Sequence, residues 1–477
     1  MKFRRYFFIL LFCAVSVLAQ AQKVTVSREI GIRNNYAYDI IPNIDGNIIF
    51  YHDRGSEHAF EIYDSDLRYK NTIEPEFEKK NIHPAGAIGM DTSFNYYYSY
   101  KEEGNIYYKA IAYDKNVSLI DSTTILVKDK KTVSNNPKFA FSKDKSKVLI
   151  FNPESGYLNL TLIDNHTLKL IYDLQLTVDG IDLKNDFEKL LVTDDGEIYI
   201  ITRKSSFWDR GSKGFILTRV ANNQTVLVHK FFPESNEITD LKMDFDEINK
   251  KLVLAGFTSE GDQSKINGYF GFSISPNQIP PDAEILINRF STNFIADATG
   301  KKPGKVRELS DYRLQDIIIR NDGGVIMISE LIKEFTRRSQ MTGPGQFGNN
   351  FPVRGFVDYY HEDLIILATY PNGEEHWKKI FFKKQFSQDD SGIYSSYFLF
   401  KTPSRIRLIY NDEIKNNNTV SEYVMNPKGE AERKSVLSTE YQNLKLRFRN
   451  AIQVGSSSLI IPSEKTWKLN MVKIDYE

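Results

Sequence analysis

Cysteine is all but missing from this sequence. Cys13 is the only one, and it lies in an apolar run close to the N-terminus. If that run is removed, no thiol remains. Disulfides, cysteine nucleophiles and thiolate metal sites are then excluded. A chain of 477 residues buries a large core and needs no such staples. Excess charge is missing too, with 62 basic against 62 acidic residues. Taking away Lys2, Arg4 and Arg5 leaves 59 against 62, which offers no surface for nucleic acid. No second long apolar run follows the first, so the remainder carries no expected transmembrane helix. A Gly-rich phosphate loop, a His-Glu-x-x-His pair, a Gly-x-Ser-x-Gly elbow and an EF-hand loop are all absent. Neither a cofactor nor a metal site is expected. The seven histidines are scattered. His52 and His58 flank a turn, His361 opens the run "HEDL", and all three read as solvated loop side chains.

The N-terminus has export chemistry. Lys2, Arg4 and Arg5 precede the apolar stretch Phe7 to Ala19, and Ala19-Gln20-Ala21 fits a small-x-small cleavage site. The stretch is shorter than the ~20 residues of a membrane span. Residues 1–21 are therefore read as a cleaved signal peptide and 22–477 as the mature domain. The expected location is the periplasm or the outside of the cell, with association to an outer membrane as a further option.

Aromatic residues are plentiful, with 27 Tyr and 32 Phe, and they favour strands. The stretch Ile317 to Gln385 shows the grammar. Apolar runs at Ile317–Ile319, Val325–Leu331, Leu364–Tyr370 and Trp377–Phe382 are separated by Asn321-Asp322-Gly323-Gly324, a long loop and Pro371-Asn372-Gly373. Gly and Asn supply the positive φ of tight hairpins. Four antiparallel strands in succession make one propeller blade. The pattern recurs in eight units of unequal length, with the excess in loops. The expected fold is all-β, a single propeller of eight blades, with seven as the alternative. Asp45-Gly46, Asp194-Asp195-Gly196 and Asp322-Gly323 read as turns and not as carboxylate sites. The last unit lacks an outer strand, while Lys23–Ile30 is a spare one. Pairing the two closes the ring.

Some units resemble known propeller types. "PKFAFSKDKSKVLIFNPESGYLNLTLID" resembles the TolB-like repeat, with Ser142 and Asp144 in place but Lys145 where glycine is usual. "DLIILATYPNGEEHW" resembles the blade element of pyrroloquinoline-quinone-type propellers, met once where those enzymes repeat it. As a whole the chain resembles the uncharacterised secreted β-propellers of bacterial envelopes. That resemblance implies a fold and a compartment.

Two surface segments carry recognition chemistry. The loop from Phe335 to Gly355 holds Arg337, Arg338, Phe347, Phe351 and Arg354 among Gly and Pro, suited to an anionic or peptide ligand. "SSFWDRGSKG" puts Trp208 and Arg210 at a hairpin tip, suited to sugar stacking or a protein contact. "NYYYSY" at 95–100 must be at least partly packing. The leading functional reading is a scaffold that binds an envelope protein or peptide. The alternative is a glycan-active hydrolase or lyase using carboxylates at one propeller face, with Glu330, Asp358, Glu362 and Asp363 as the candidates.

Overall fold

Short β-branched and aromatic runs broken by Gly, Asn and Asp fold here as successive antiparallel hairpins. The computed structural model describes residues 22–129, 137–203, 214–232, 237–262, 264–278, 282–337, 356–412, 414, 419–437 and 443–476. Their strands form eight blades arranged as a β-propeller. Blade 1, innermost strand first, is Ala37–Ile44, Asn47–Asp53, His58–Tyr63 and Tyr69–Ile73. Blades 2 to 5 begin at inner strands His83–Gly89, Lys138–Phe141, Phe187–Val192 and Glu237–Asp246. Blade 6 holds Tyr312–Ile319, Val325–Arg337, Phe356–Thr369 and Glu375–Phe381, and blade 7 begins at Tyr397–Lys401. Between blades 5 and 6 the chain makes a helix, Thr292–Thr299. Ser291 caps its N-terminus, and Gly300 ends it in the left-handed region at φ 64°.

Each blade packs on two neighbours, so both faces of its sheet are buried. One apolar cluster lies at each of the eight blade–blade interfaces. Ile41 and Phe60 of blade 1 pack with Phe94 and Tyr96 of blade 2. Tyr97, on the opposite face of the same strand, packs with Val148 and Ile150 of blade 3. The run Asn95 to Tyr100 is therefore buried throughout, not partly. Each large side chain so buried contributes roughly 1.5–3 kcal/mol, and this repeated burial holds the ring together.

The turns follow a local rule. Asp64, Asp114 and Asp164 each accept two backbone N–H groups from the residues just after them, which closes the turn to the outer strand. Leu67, Val117 and Leu168 then sit at φ of 60°, 61° and 56°, yet their side chains are buried. Burial offsets a backbone conformation that ordinarily suits glycine. The TolB-like turn has the same economy. Ser142 Oγ donates to Asp144 at 2.6 Å, the N–H of Ser146 donates to Asp144 at 2.8 Å, and Lys145 takes φ 63° without being glycine.

The ring closes through the N-terminus. Lys23–Val26 pairs antiparallel with Lys468–Asp475, from Lys23 opposite Asp475 to Val26 opposite Val472. Ile30–Gly31 pairs with Leu469 and Lys468. Between the two, Ser27 breaks the ladder but stays bonded, since its Oγ accepts from the N–H of Met471 at 2.8 Å. Blade 8 is thus built from Ile452–Gln453, Ser458–Lys465, Lys468–Asp475 and the first strand of the chain. The expected closure is observed.

Deleting Lys23–Gly31 should expose the whole edge of Lys468–Asp475. The melting temperature should fall and the unfolding transition should broaden, read by circular dichroism. An unchanged melting curve would mean this strand does not hold the ring.

Asp39 gives a second test. It lies half-buried on the inner strand of blade 1, and burial pushes its carboxyl up to about 6, although the N–H groups of Ile40 and Ala87 donate to it. In the unfolded chain it ionises near ~3.9. Between about pH 4 and 6 the folded chain therefore binds more protons than the unfolded one, and stability falls as pH rises. Asp39→Asn should stabilise the protein by about 1–2 kcal/mol near pH 7, after discounting for solvent, and have no effect near pH 4. A lower melting temperature near pH 7 would show that the carboxylate charge is favourable there.

Candidate functional site

In every blade the hairpin between the second and third strands lies on the face where the inner strand begins. The connectors between blades lie on the same face. Both long segments singled out from the sequence leave the ring there. In blade 4 the chain departs after Thr202 and returns at Phe215, and in blade 6 it departs at Arg337 and returns at Phe356. Trp208, Arg210, Arg338, Phe347, Phe351 and Arg354 lie outside the described residues. The backbone of Arg337 pairs with Phe356.

Blade 6 projects beyond the ring. Its inner strand ends its pairing at Tyr312 opposite Leu331, but the middle strands continue pairing from Ile332 opposite His361 to Arg337 opposite Phe356. Six more residues at ~3.4 Å each make a ribbon of about 20 Å. A strap, Gln385–Gln388, pairs with Asp358 to His361 and adds a third strand to its base. Of the segment from Phe335 to Gly355 singled out above, the first three residues are strand and the rest lies outside the described residues.

A buried polar network anchors the ribbon. Lys383 Nζ lies 2.6 Å from Glu330 Oε1, and both side chains are fully buried. His361 Nδ1 is 3.2 Å from Glu330 Oε2, to which Ser396 Oγ also donates at 2.7 Å. Lys383 donates in addition to the carbonyl of His361 and to Gln385, and Gln385 donates to the carbonyls of Ser396 and Asn411 in blade 7. Burial alone would raise the Glu330 carboxyl, but Lys383 and His361 outweigh it and hold it down to about 2. Arg449, from blade 8, reaches the outer side of His361 at 3.0 Å.

This arrangement divides the four carboxylates proposed from the sequence. Glu330 is committed to the ion pair, and Asp358 is buried and takes a hydrogen bond from Gln388 at 3.0 Å. Neither is available to a ligand. Glu362 and Asp363 instead line a cavity of about 520 Å³ between the Thr292–Thr299 helix and the ribbon base, on the same face. Asp297, Asp311 and Tyr312 complete its wall. Nothing in the sequence pointed to these three, because they converge from a helix, a connector and an inner strand. Another cavity, about 340 Å³ and largely apolar, lies between blades 6 and 7 on the opposite face.

The histidines are a correction. His52, His58 and His361 are all buried, not solvated. His52 Nε2 is 3.3 Å from Glu61, and His58 Nδ1 is 2.7 Å from the Tyr51 hydroxyl. His52 and His58 sit on strands at either side of a hairpin, and His361 lies within the strand Phe356–Thr369, where Gln385 pairs with it and Arg449 reaches its ring. Among the described residues, no group of three His, Cys, Asp or Glu is placed to hold a metal ion. No helix among them is long and apolar enough to cross a membrane.

No family model and no curated protein matches this chain. Among solved structures it is similar to the Dos1 propeller, at 10% identity and a TM-score of 0.46, covering 94% of this chain and 95% of that one. It is also similar to Porphyromonas gingivalis dipeptidyl peptidase 4, at 12% identity and a TM-score of 0.46, covering 92% of this chain and 57% of that one. For the polysaccharide lyase Uly1 the values are 8% and 0.43, with 83% and 90% covered. These likenesses carry no activity over to this chain.

The ribbon anchor can be tested directly. Glu330→Gln would leave the Lys383 ammonium buried without its partner, at a cost of about 3–5 kcal/mol. The double variant Glu330→Gln with Lys383→Met should recover most of that loss, as measured by urea unfolding. A single variant costing less than about 1 kcal/mol would mean the pair does not anchor this blade.

Proposed function

We propose that this protein is an exported β-propeller that binds a protein or peptide partner through the face carrying its second-to-third-strand hairpins. One observation carries the reading. Blade 6 extends a ribbon from that face, supports it with a third strand and anchors it with a buried ion pair. A buried ion pair is weak evidence for stability, but it is suited to holding one geometry. The chain of blade 4 leaves the ring on the same face, with Trp208 and Arg210 in the segment beyond Thr202. Rigid scaffolds commonly present their recognition residues on such loops.

Export is the reading of residues 1–21, with the cationic start and apolar run described above. The glycan-active alternative has less support, since Glu330 and Asp358 serve structure and only Glu362 and Asp363 remain open to a ligand.

Replacing Gln340–Asn350 by a two-residue turn should leave the melting temperature within about 2 °C and weaken capture of the partner from envelope extract. Arg337→Ala with Arg338→Ala should remove a salt-sensitive part of that capture. Undiminished capture by the shortened chain would move the binding face elsewhere. Turnover in a polysaccharide and glycoside screen would favour the alternative.

A further inference from the structure

We propose that the cavity at the base of the blade-6 ribbon receives an organic cation, the basic side chain of a lysine or arginine in a partner peptide. The inference rests on the partner-binding reading above and names the chemistry that reading lacks.

The first support is charge. Asp297, Asp311, Glu362 and Asp363 line the cavity, against Lys301 and Lys333. Lys333 is already engaged, 3.4 Å from Glu362. Burial raises the Asp363 carboxyl and the nearby Glu362 charge raises it further, outweighing the Lys383 N–H that donates to it at 3.2 Å and the Lys383 and Lys333 charges. A cation entering the cavity would relieve both effects.

The second support is independent of the acids. Tyr312 lines the same cavity, is only 4% exposed, and its hydroxyl has no hydrogen-bond partner. Burial raises that hydroxyl most, and the charges of Asp363 and Glu362 raise it further. A buried hydroxyl left unpaired is costly and rare. Ammonium and guanidinium groups carry donors alone, and a phenol oxygen can accept from them. The third support is size and lining. About 520 Å³ lies within the ~300–1,000 Å³ of ligand clefts and far exceeds a bare ion. Phe382, 58% exposed, stands at the wall and offers a ring to an aliphatic stem or a cation.

The test is calorimetric titration of the whole exported chain with the blocked tripeptides acetyl-Gly-Lys-Gly-amide and acetyl-Gly-Arg-Gly-amide. Acetyl-Gly-norleucine-Gly-amide serves as the uncharged control. The cationic probes should bind saturably, with Kd near or below about 1 mM, and the control should not. Affinity should fall severalfold between about 50 and about 300 mM salt. Asp363→Asn should weaken binding about tenfold. Tyr312→Phe should weaken it about threefold while leaving the melting temperature equal or higher, because it removes an unpaired hydroxyl. A loss of stability in Tyr312→Phe with unchanged binding would assign that hydroxyl to the fold and overturn the inference. So would equal binding of the norleucine probe, or cation binding indifferent to Asp363→Asn. If the probes fail while envelope extract still yields a partner that needs this face, the cation site falls and the partner-binding reading stands. If the probes bind and no partner is captured, the reverse holds.

Discussion

Four backbone pairs, from Lys23 with Asp475 to Val26 with Val472, keep the ring shut. The rest of the structure depends on that closure. Elsewhere the strand ladders run mainly within blades, apart from Asp282–Glu284, which crosses over to the outer strand of blade 4. The eight blades meet by side-chain packing at eight interfaces together with hydrogen bonds such as that from the Ser273 N–H to the Pro371 carbonyl. Such a ring has one place where the covalent chain does not join neighbouring blades, between blade 8 and blade 1. Supplying the outer strand of blade 8 from the start of the chain turns that gap into a hydrogen-bonded seam. The cluster between those two blades, with Ile30, Phe50, Ile460 and Met471, packs behind the seam.

Burial on both faces of every sheet sets the cost of polar groups. A charge on a middle strand has no water on either side, so it must be paired. Glu330 shows the solution: it meets Lys383 and His361 and accepts from the Ser396 hydroxyl, Lys383 donates also to the His361 carbonyl and to Gln385, and Gln385 donates to the carbonyls of Ser396 and Asn411. The same network joins the projecting ribbon to its neighbours. Asp363 lies on the third strand of the same blade, where the pairing with the second strand shifts register; it accepts the Lys383 N–H but has no ion pair of that kind, and its carboxyl is raised where that of Glu330 is lowered. Two acids thirty-three positions apart in one blade are thereby placed differently, one in a buried ion pair and one on a cavity wall.

Much of the fold was legible in local chemistry. The Gly of each Asp-Gly turn adopts positive φ, 80° at Gly46, 83° at Gly196 and 82° at Gly323. The hairpins fall where those turns placed them. The spare strand at the N-terminus was readable because a blade one strand short must find it. Lys145 shows where local reading thins out, since a lysine takes φ 63° once Asp144 and Ser142 hold the turn. Solvation was less legible: His52 and His58 stand beside a turn in sequence, yet their rings lie between strands. Side-chain type and proximity to glycine do not report what the next strand covers.

By itself the sequence determined the strand succession, the eight repeats, the turn positions and the closing partner, because each follows from contacts close along the chain or from an edge that must be paired. It also marked the two extended hairpins, since excess length and Gly content need no partner to be seen. The tertiary structure alone decided that both hairpins leave one face, that Glu330 is an anchor, and that Asp297, Asp311, Tyr312, Glu362 and Asp363 share a cavity. Those residues come from a helix, a connector and two strands. Their meeting is a matter of how blade 6 projects past the ring, and no spacing along the chain encodes it.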